Sequence, residues 1–448
     1  MFKRILIANR GEIALRVIRA CRELGIETVA VYSTADKNTL HVRFADQAIC
    51  IGPPPALQSY LHQPSLLGAA QICKVDAVHP GYGFLAENAQ FASAVRAMGL
   101  GFIGPRVEHL QMFGDKLAAK AAARVAGLPM VPGSDGAVHT NEEALGVAEA
   151  AGYPVMLKAA GGGGGKGMRV VRDADMLGRV FEVAQAEAQA AFGNGALFIE
   201  RYLDTPRHVE VQIAGDAYGN AVHLFTRDCS LQRRHQKIIE EAPAPGLDDA
   251  LHQRIAESAA RLARSVGYQT VGTVEFLLEG DAFFFLEVNP RIQVEHPVTE
   301  EVTGIDLVQE QIRLAAGEPL SFSQEEVRCT GHAIEVRVNT EDPWTFLPSP
   351  GRVTGYHEPG GHGVRVDSAI HEQALVSPYY DSLAGKLIVR GRDREEAIRR
   401  MLWAIDEFVV EGVKTLLPMQ RALIGSPDFR DIAFHTRYVD AWVKARKS

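Results

Sequence analysis

The chain has 448 residues, 46% hydrophobic and 23% charged, the proportions of a soluble globular protein with room for two or three domains. A net charge of −8 argues against general affinity for nucleic acid or an anionic membrane, so any positive residues that matter must act locally. Cys21, Cys50, Cys73, Cys229 and Cys329 lack metal-finger or CxxC spacing, which fits reduced thiols in a cytoplasm-like compartment, and no apolar run is long enough for a predicted membrane span.

Arg4 to Ala8 reads as a short strand, Gly11 to Leu24 as a helix with an apolar stripe at Ile13, Ala14, Val17, Ile18, Cys21 and Leu24, and Thr28 to Tyr32 as a second strand. This opening predicts a parallel, Rossmann-like unit. The segment ANRGEIA lacks G-x-G-x-x-G, so the unit reads as a scaffold and not a dinucleotide site. Alternation continues through Asp76 to His79, Asn88 to Met98 and Gly101 to Ile103. The turn-rich loop His79 to Phe84 fits a binding loop and a structural turn equally.

A boundary is expected near Gly114, followed by an alanine-rich helix from Lys116 to Ala126. Strand Tyr153 to Ala159 runs into five glycines, Gly161 to Gly165, then Lys166 and Gly167, and strand Met168 to Val171 comes out. Bare backbone N–H groups in such a loop can close over phosphates, with Lys158 and Lys166 supplying charge. It is not a Walker A loop, because G-K-[ST] is absent and a strand follows where a helix should.

Strand-like segments follow at Ala196 to Leu203, His208 to Ala214 and Ala221 to Thr226. The polar run Asp228 to Lys237 is read two ways, as a solvated face or as the lining of an anion site. A helix over Asp248 to Val266 leads to strands Val274 to Leu278 and Ala282 to Glu287. If that hairpin is symmetric about Asp281, Glu275 lies opposite Glu287, with Cβ atoms about 5 Å apart. Like charges so placed need a positive partner, and Mg²⁺ accepts carboxylates together with phosphate oxygens. Read as extended chain, EVNPRIQVE puts Glu287, Asn289, Arg291, Gln293 and Glu295 on one side. Further on, His332 to Val338 alternates, with Ile334, Val336 and Val338 on one face and Glu335, Arg337 and Asn339 on the other. Short strands continue to Val389, and a helix from Arg394 to Val409 is expected to close a third, mostly β unit.

HPGYGFLAEN, KAAGGGGGKGM, RDCSLQRRHQK and EVNPRIQVEHPVTE occur in that order, and together they resemble biotin carboxylase over essentially the whole chain. The resemblance implies an α/β fold with a Rossmann-like N-terminal domain at 1–114, an ATP-grasp domain at 115–330 with a lid at about 131–203, and a C-terminal domain at 331–448. It implies that ATP and bicarbonate form carboxyphosphate, whose carboxyl group passes to biotin, as in the first half-reaction of acetyl-CoA carboxylase. Carboxylases of propionyl-CoA, methylcrotonyl-CoA, pyruvate or urea are the alternatives. By the same resemblance, Lys116 and Lys158 would hold phosphates under a lid containing Gly164 and Gly165. Glu200, Arg201, Tyr202 and Leu203 would meet adenine, and His208, Gln232 and His235 would position the nucleotide. Glu275, Glu287 and Asn289 would bind two Mg²⁺ or Mn²⁺ ions. Lys237, Arg291, Gln293, the Val294 backbone and Arg337 would bind bicarbonate, Glu295 would be the base, and Arg337 would stabilise the biotin enolate.

Arg201 stands where lysine is frequent in the family, Pro290 where threonine also occurs and Lys166 where arginine also occurs; the last two loosen the acetyl-CoA assignment. No Met-Lys-Met biotin-attachment motif is found, so the expected partners are a separate biotin carboxyl carrier protein, carboxyltransferase subunits and a second copy of the chain. Two competing readings are a carboxylate–amine ATP-grasp ligase and a nucleotide-sensing protein without chemistry. Glu275, Glu287 and Glu295 together argue against the sensor, and HPVTE with Arg337 argues against the ligase.

Overall fold

The computed structural model describes residues 1–159, 168–192 and 195–447, so the glycine loop, with Gly164, Gly165 and Lys166, lies outside the described residues. Backbone contacts group the chain into two units. One comprises Met1–Leu128, Arg207–Asp281 and Leu286–Ser448, the other Pro129–Pro206 and Ala282–Phe285. No helix among the described residues is long and apolar enough to cross a membrane.

The first unit opens with β1 (Arg4–Ile7), α1 (Gly11–Glu23), β2 (Glu27–Ser33), β3 (Gln47–Gly52), β4 (Ala77–His79) and β5 (Gly101–Phe102). The strands form a parallel sheet in the order β3-β2-β1-β4-β5, the doubly wound arrangement expected from the opening pattern. Ile5, Leu6 and Ile7 are fully buried because both faces of a parallel sheet are covered. On one side lie Ile13, Val17 and Ile18 of α1. Helix α1 stops where Gly25 takes φ 70°, a conformation that favours glycine. There the N–H of Ile26 donates to the carbonyl of Cys21 and that of Gly25 to Arg22, a Schellman termination.

The same unit holds, except for Ala282–Phe285, an eight-stranded sheet built from β6 (Arg207–Gly215), β7 (Ala221–Arg233), β8 (Gln236–Ala242), β9 (Thr270–Glu279), β10 (Ala282–Asn289), β11 (His332–Asn339), β12 (Val364–Ser368) and β13 (Leu383–Gly391). Its order is β10-β9-β6-β7-β8-β11-β13-β12. Pairing of Ile239 with Val336 and Glu240 with Glu335 joins the C-terminal strands to the central ones in one sheet. The helix from Arg394 ends at Glu407, earlier than expected, and does not close the core alone. Helices Leu417–Ile424, Pro427–Arg430 and Tyr438–Lys447 follow, and Leu417, Leu423, Phe429, Trp442 and Val443 join Ile334, Val336 and Leu387 in the core. Two of these helices are short and carry proline in their first turn, a residue that reads as a turn signal in sequence.

A second expectation also changes. The run from Asp228 is not a solvated face, because β7 continues to Arg233 and buries Asp228, Ser230 and Gln232. Arg207 Nε donates to Asp228 at 2.9 Å, and the N–H of His208 to Ser230 Oγ at 2.9 Å. Only Arg234 and His235, in the turn at positive φ, and Gln236 after them are exposed.

The second unit contains an antiparallel sheet in the order Met168–Val171, Val155–Ala159, Leu197–Arg201. Helices Asn141–Ala151 and Ala174–Phe192 supply Ala144, Ala148, Leu177 and Phe181 to a core shared with Val155, Leu157 and Ile199. Thr140 caps the first helix, its hydroxyl accepting from the N–H of Glu143 at 3.2 Å.

Burial lowers the pKa of His41 to about 4 and that of His79 to about 3. In the unfolded chain both take up a proton near pH 6.5, whereas in the folded chain they stay neutral to lower pH, so stability falls as pH drops from about 6.5 towards 4. The loss at about pH 5 is expected to be on the order of 1–2 kcal/mol per histidine. Urea midpoints at about pH 7.5 and 5 measure it. The loss should shrink in the His41→Asn, His79→Asn double variant, and an unchanged loss there would assign it to other groups.

Candidate active site

Alternation along β6 places His208, Glu210 and Gln212 on one face. In the register with β9, Glu275 lies opposite Glu210 and Thr273 opposite Gln212. On this side of β9, Glu275 therefore faces a second carboxylate, that of Glu210. Lys237, near the start of β8, supplies the positive partner: its Nζ lies 2.5 Å from Glu210, 2.9 Å from Glu275 and 2.7 Å from Glu295. All three carboxylates are buried, at 0%, 4% and 2% exposure.

Behind them Arg227, fully buried, donates to Glu210 (2.6 Å), Gln212 (2.7 Å), Thr299 (3.0 Å), Thr273 (3.0 Å) and Gln293 (2.6 Å). Burial alone would raise the pKa of Glu210, Glu275 and Glu295. Lys237 opposes it at all three, joined by Arg227 at Glu210, by His208 at Glu275 and by Arg337 at Glu295, and together these leave all three below the usual range. Burial would lower His208, yet Glu275, 3.2 Å away, and Glu210 raise it to about 9, so the ring is protonated at neutral pH.

The chain from Asn289 to Glu295 departs from the extended reading. Strand β10 ends at Asn289, because Pro290 has no N–H for the ladder, and a turn leads into α2 (His296–Thr303), which has Pro297 in its first turn. The turn folds the polar side chains inward, so Asn289, Gln293 and Glu295 are buried. Asn289 Nδ2 and Gln293 Nε2 both donate to Glu275 Oε1, at 2.9 and 2.8 Å. Arg291 Nη2 donates to Asn289 Oδ1 at 3.0 Å, and its Nε lies 3.1 Å from Glu87. Across the turn, Arg337 Nη2 donates to Glu295 Oε2 at 2.9 Å while its Nε donates to Glu240 Oε1 at 2.6 Å. The predicted polar face of β11 is thus buried against the turn, not wet.

The first unit accordingly gathers His208, Lys237, Glu275, Asn289, Arg291, Gln293, Val294, Glu295 and Arg337. Buried Gln232 lies opposite Lys237 across β7 and β8, and His235 sits in the exposed turn between those strands. Glu287 is exposed. Although it reaches solvent, desolvation by the protein packed around it and the charge of Glu275 raise its pKa, against the opposing influence of His208, Lys116 and Lys237. Strands β9 and β10 are neighbours in the sheet, ending at Glu279 and restarting at Ala282.

The charge of Glu275 acts on Glu287, and two such hard oxygen donors fit Mg²⁺ or Mn²⁺; Asn289 stands next to them with its Nδ2 on Glu275. The second unit by itself pairs Lys158 with Glu200. In the same unit the N–H groups of Arg201 and Tyr202 donate to the carbonyls of Pro132 and Pro154 at 2.7 and 2.8 Å, and Leu203 is buried.

Sequence reasoning missed Glu210, Arg227, Glu240 and Lys386. For Glu210 a signal existed in the alternating His-x-Glu-x-Gln of β6, whereas Arg227 is a lone arginine whose partners come from four other segments. Removing it takes one of two cations from buried Glu210 and the donor from Gln212, Thr273, Gln293 and Thr299, so Arg227→Met is expected to lose on the order of 3–5 kcal/mol of stability in urea titration. A loss below about 1 kcal/mol would mean the arginine network is not holding the site.

Residues 1–110 match the biotin carboxylase N-terminal domain family, residues 115–323 the carbamoyl-phosphate synthase L chain ATP-binding domain family, and residues 335–441 the biotin carboxylase C-terminal domain family. The chain is 54% identical to the biotin carboxylase of Pseudomonas aeruginosa, covering 97% of this chain and 96% of that protein. It is 51% identical to the biotin carboxylase of Haemophilus influenzae, covering 98% of each. It is 50% identical to one of the pyruvate carboxylase subunits of Methanothermobacter thermautotrophicus, covering 99% of this chain and 90% of that protein. Among solved structures it resembles the biotin carboxylase domain dimer of Hydrogenobacter thermophilus 2-oxoglutarate carboxylase, in complex with MgADP, ADP and bicarbonate. There the TM-score is 0.88 and the identity 46%, with 98% of each chain covered.

Proposed function

Because the chain belongs to the biotin carboxylase family and is an ATP-dependent ligase that carboxylates biotin, we propose that Glu295 and Arg337 divide the reaction between them. The observation that carries this is the Glu295 carboxylate held between Lys237 at 2.7 Å and Arg337 at 2.9 Å. Kept ionised by those cations, Glu295 accepts the proton of bicarbonate. The bicarbonate oxygen then attacks the γ-phosphorus of ATP, giving carboxyphosphate and ADP. Lys237, Arg291, Gln293 and the backbone N–H of Val294 hold the anion. Arg337, whose guanidinium is always charged, afterwards holds the enolate oxygen of biotin ready for the carboxyl group.

Lys116, Lys158, Gly164 and Gly165 take the phosphates of ATP; Glu200, Arg201, Tyr202 and Leu203 its adenine end; His208, Gln232 and His235 complete its seat. Glu275, Glu287 and Asn289 hold Mg²⁺ or Mn²⁺, which when bound neutralises charge on the transferred phosphoryl group. We read the biotin as carried by a separate carrier protein in the cytoplasm, with the chain working as a homodimer beside carboxyltransferase subunits. The resemblance favours acetyl-CoA as final acceptor. The 50% identity to a protein of a pyruvate carboxylase supports pyruvate as the second reading.

Loss of a general base costs about a hundredfold to ten-thousandfold in rate. Glu295→Gln should therefore bind ATP but lose bicarbonate-dependent ADP release and carboxybiotin formation together, whereas Arg337→Ala should lose carboxybiotin far more than ADP release. Both products measured in parallel decide it; equal loss in Arg337→Ala would place that residue with bicarbonate activation.

A further inference from the structure

Lys386 on β13 is a fully buried lysine, 0% exposed, so its ammonium must find its partners inside the fold. Across the ladder it lies opposite Arg337, so the two side chains leave the sheet side by side on one face. Arg337 reaches the carboxylate of Glu295, and Lys386 Nζ donates to the backbone carbonyl of Val294, the preceding residue, at 2.8 Å. The same ammonium lies 3.3 Å from Glu12 of α1, which also accepts from the hydroxyl of Tyr82. One rung of the sheet therefore grips one turn twice, by side chain and by backbone.

We propose that Lys386 is a positioning residue for the bicarbonate step, fixing the Val294–Glu295 peptide and with it the place of the Glu295 carboxylate beside the anion that the N–H of the preceding peptide, on Val294, meets. Resting on the reading of Glu295 as base, it goes further in giving the ammonium a kinetic and not merely a structural role. Without that hydrogen bond the Val294–Glu295 peptide plane can rotate, and displacements of this kind fall on catalysis more than on binding of a distant substrate.

The test is steady-state kinetics of bicarbonate-dependent ADP release by Lys386→Met and Lys386→Arg, run beside Glu295→Gln. Lys386→Met is expected to lower kcat/KM for bicarbonate about tenfold or more, with KM for ATP within about threefold of the parent and partial recovery in Lys386→Arg. A folded Lys386→Met with unchanged kcat/KM for bicarbonate overturns the proposal when Glu295→Gln is inactive. If Glu295→Gln is active as well, the reading of Glu295 falls and this proposal falls with it. Should Lys386→Met not fold, Glu12→Gln removes the ammonium's carboxylate partner and leaves Val294 in place. It is expected to lower the same parameter about threefold or more, and no change there overturns the proposal.

Discussion

Everything in the candidate site leans on the Lys237 ammonium and its three buried carboxylates. Each of those carboxylates would cost several kcal/mol to bury alone. At contact distance and an effective dielectric near 20, one opposite charge returns about 4 kcal/mol. Three acids around one lysine are therefore not self-sufficient. Arg227 beneath Glu210, the protonated His208 beside Glu275, and Arg337 on Glu295 supply the remaining positive charge. The result is a set of ionised, prearranged carboxylates at neutral pH.

Strands hold this arrangement. His208, Glu210 and Glu275 stand on neighbouring strands, Lys237 and Glu240 lie two strands further on, and Arg337, Lys386 and Asp367 continue the face beyond. Asp367 pairs with Arg365 at 2.7 Å, Arg365 with Glu300 at 2.8 Å, and Glu300 with Arg16 at 2.9 Å. A charged layer thus runs inside the protein, under α1 and α2. Sites built on regular elements hold their geometry better than sites on loops. The one irregular contribution, the turn from Pro290 to Glu295, is tied down through Asn289, Gln293, Val294 and Glu295.

Much of this could be read from the chain, and the parts that could not share a cause. The parallel sheet was legible because fully buried strands are continuous apolar runs and Gly25 marks the helix end. The need for a positive partner near Glu275 was legible from alternation in a hairpin. The facing carboxylate, Glu210, was not, because register between β6 and β9 is set by the sheet and not by local sequence. Alternation at His332 to Asn339 marked a polar face, but whether water or other charged residues cover such a face leaves no trace in the pattern. The turn after Asn289 was hidden for a similar reason: EVNPRIQVE alternates in type while Pro290 ends the strand. Arg227, with partners up to 72 positions away, left no local trace.

The central claim, that the charge of Lys237 organises the site, is tested most directly by Lys237→Gln compared with Lys237→Arg. Bicarbonate-dependent ADP release would be measured in each, with folding checked by circular dichroism. The account predicts that folded Lys237→Gln loses the activity by about a hundredfold or more, and that Lys237→Arg keeps a measurable part of it. Near-parent activity in folded Lys237→Gln would contradict it, because Glu210, Glu275 and Glu295 would then be held in place without the ammonium.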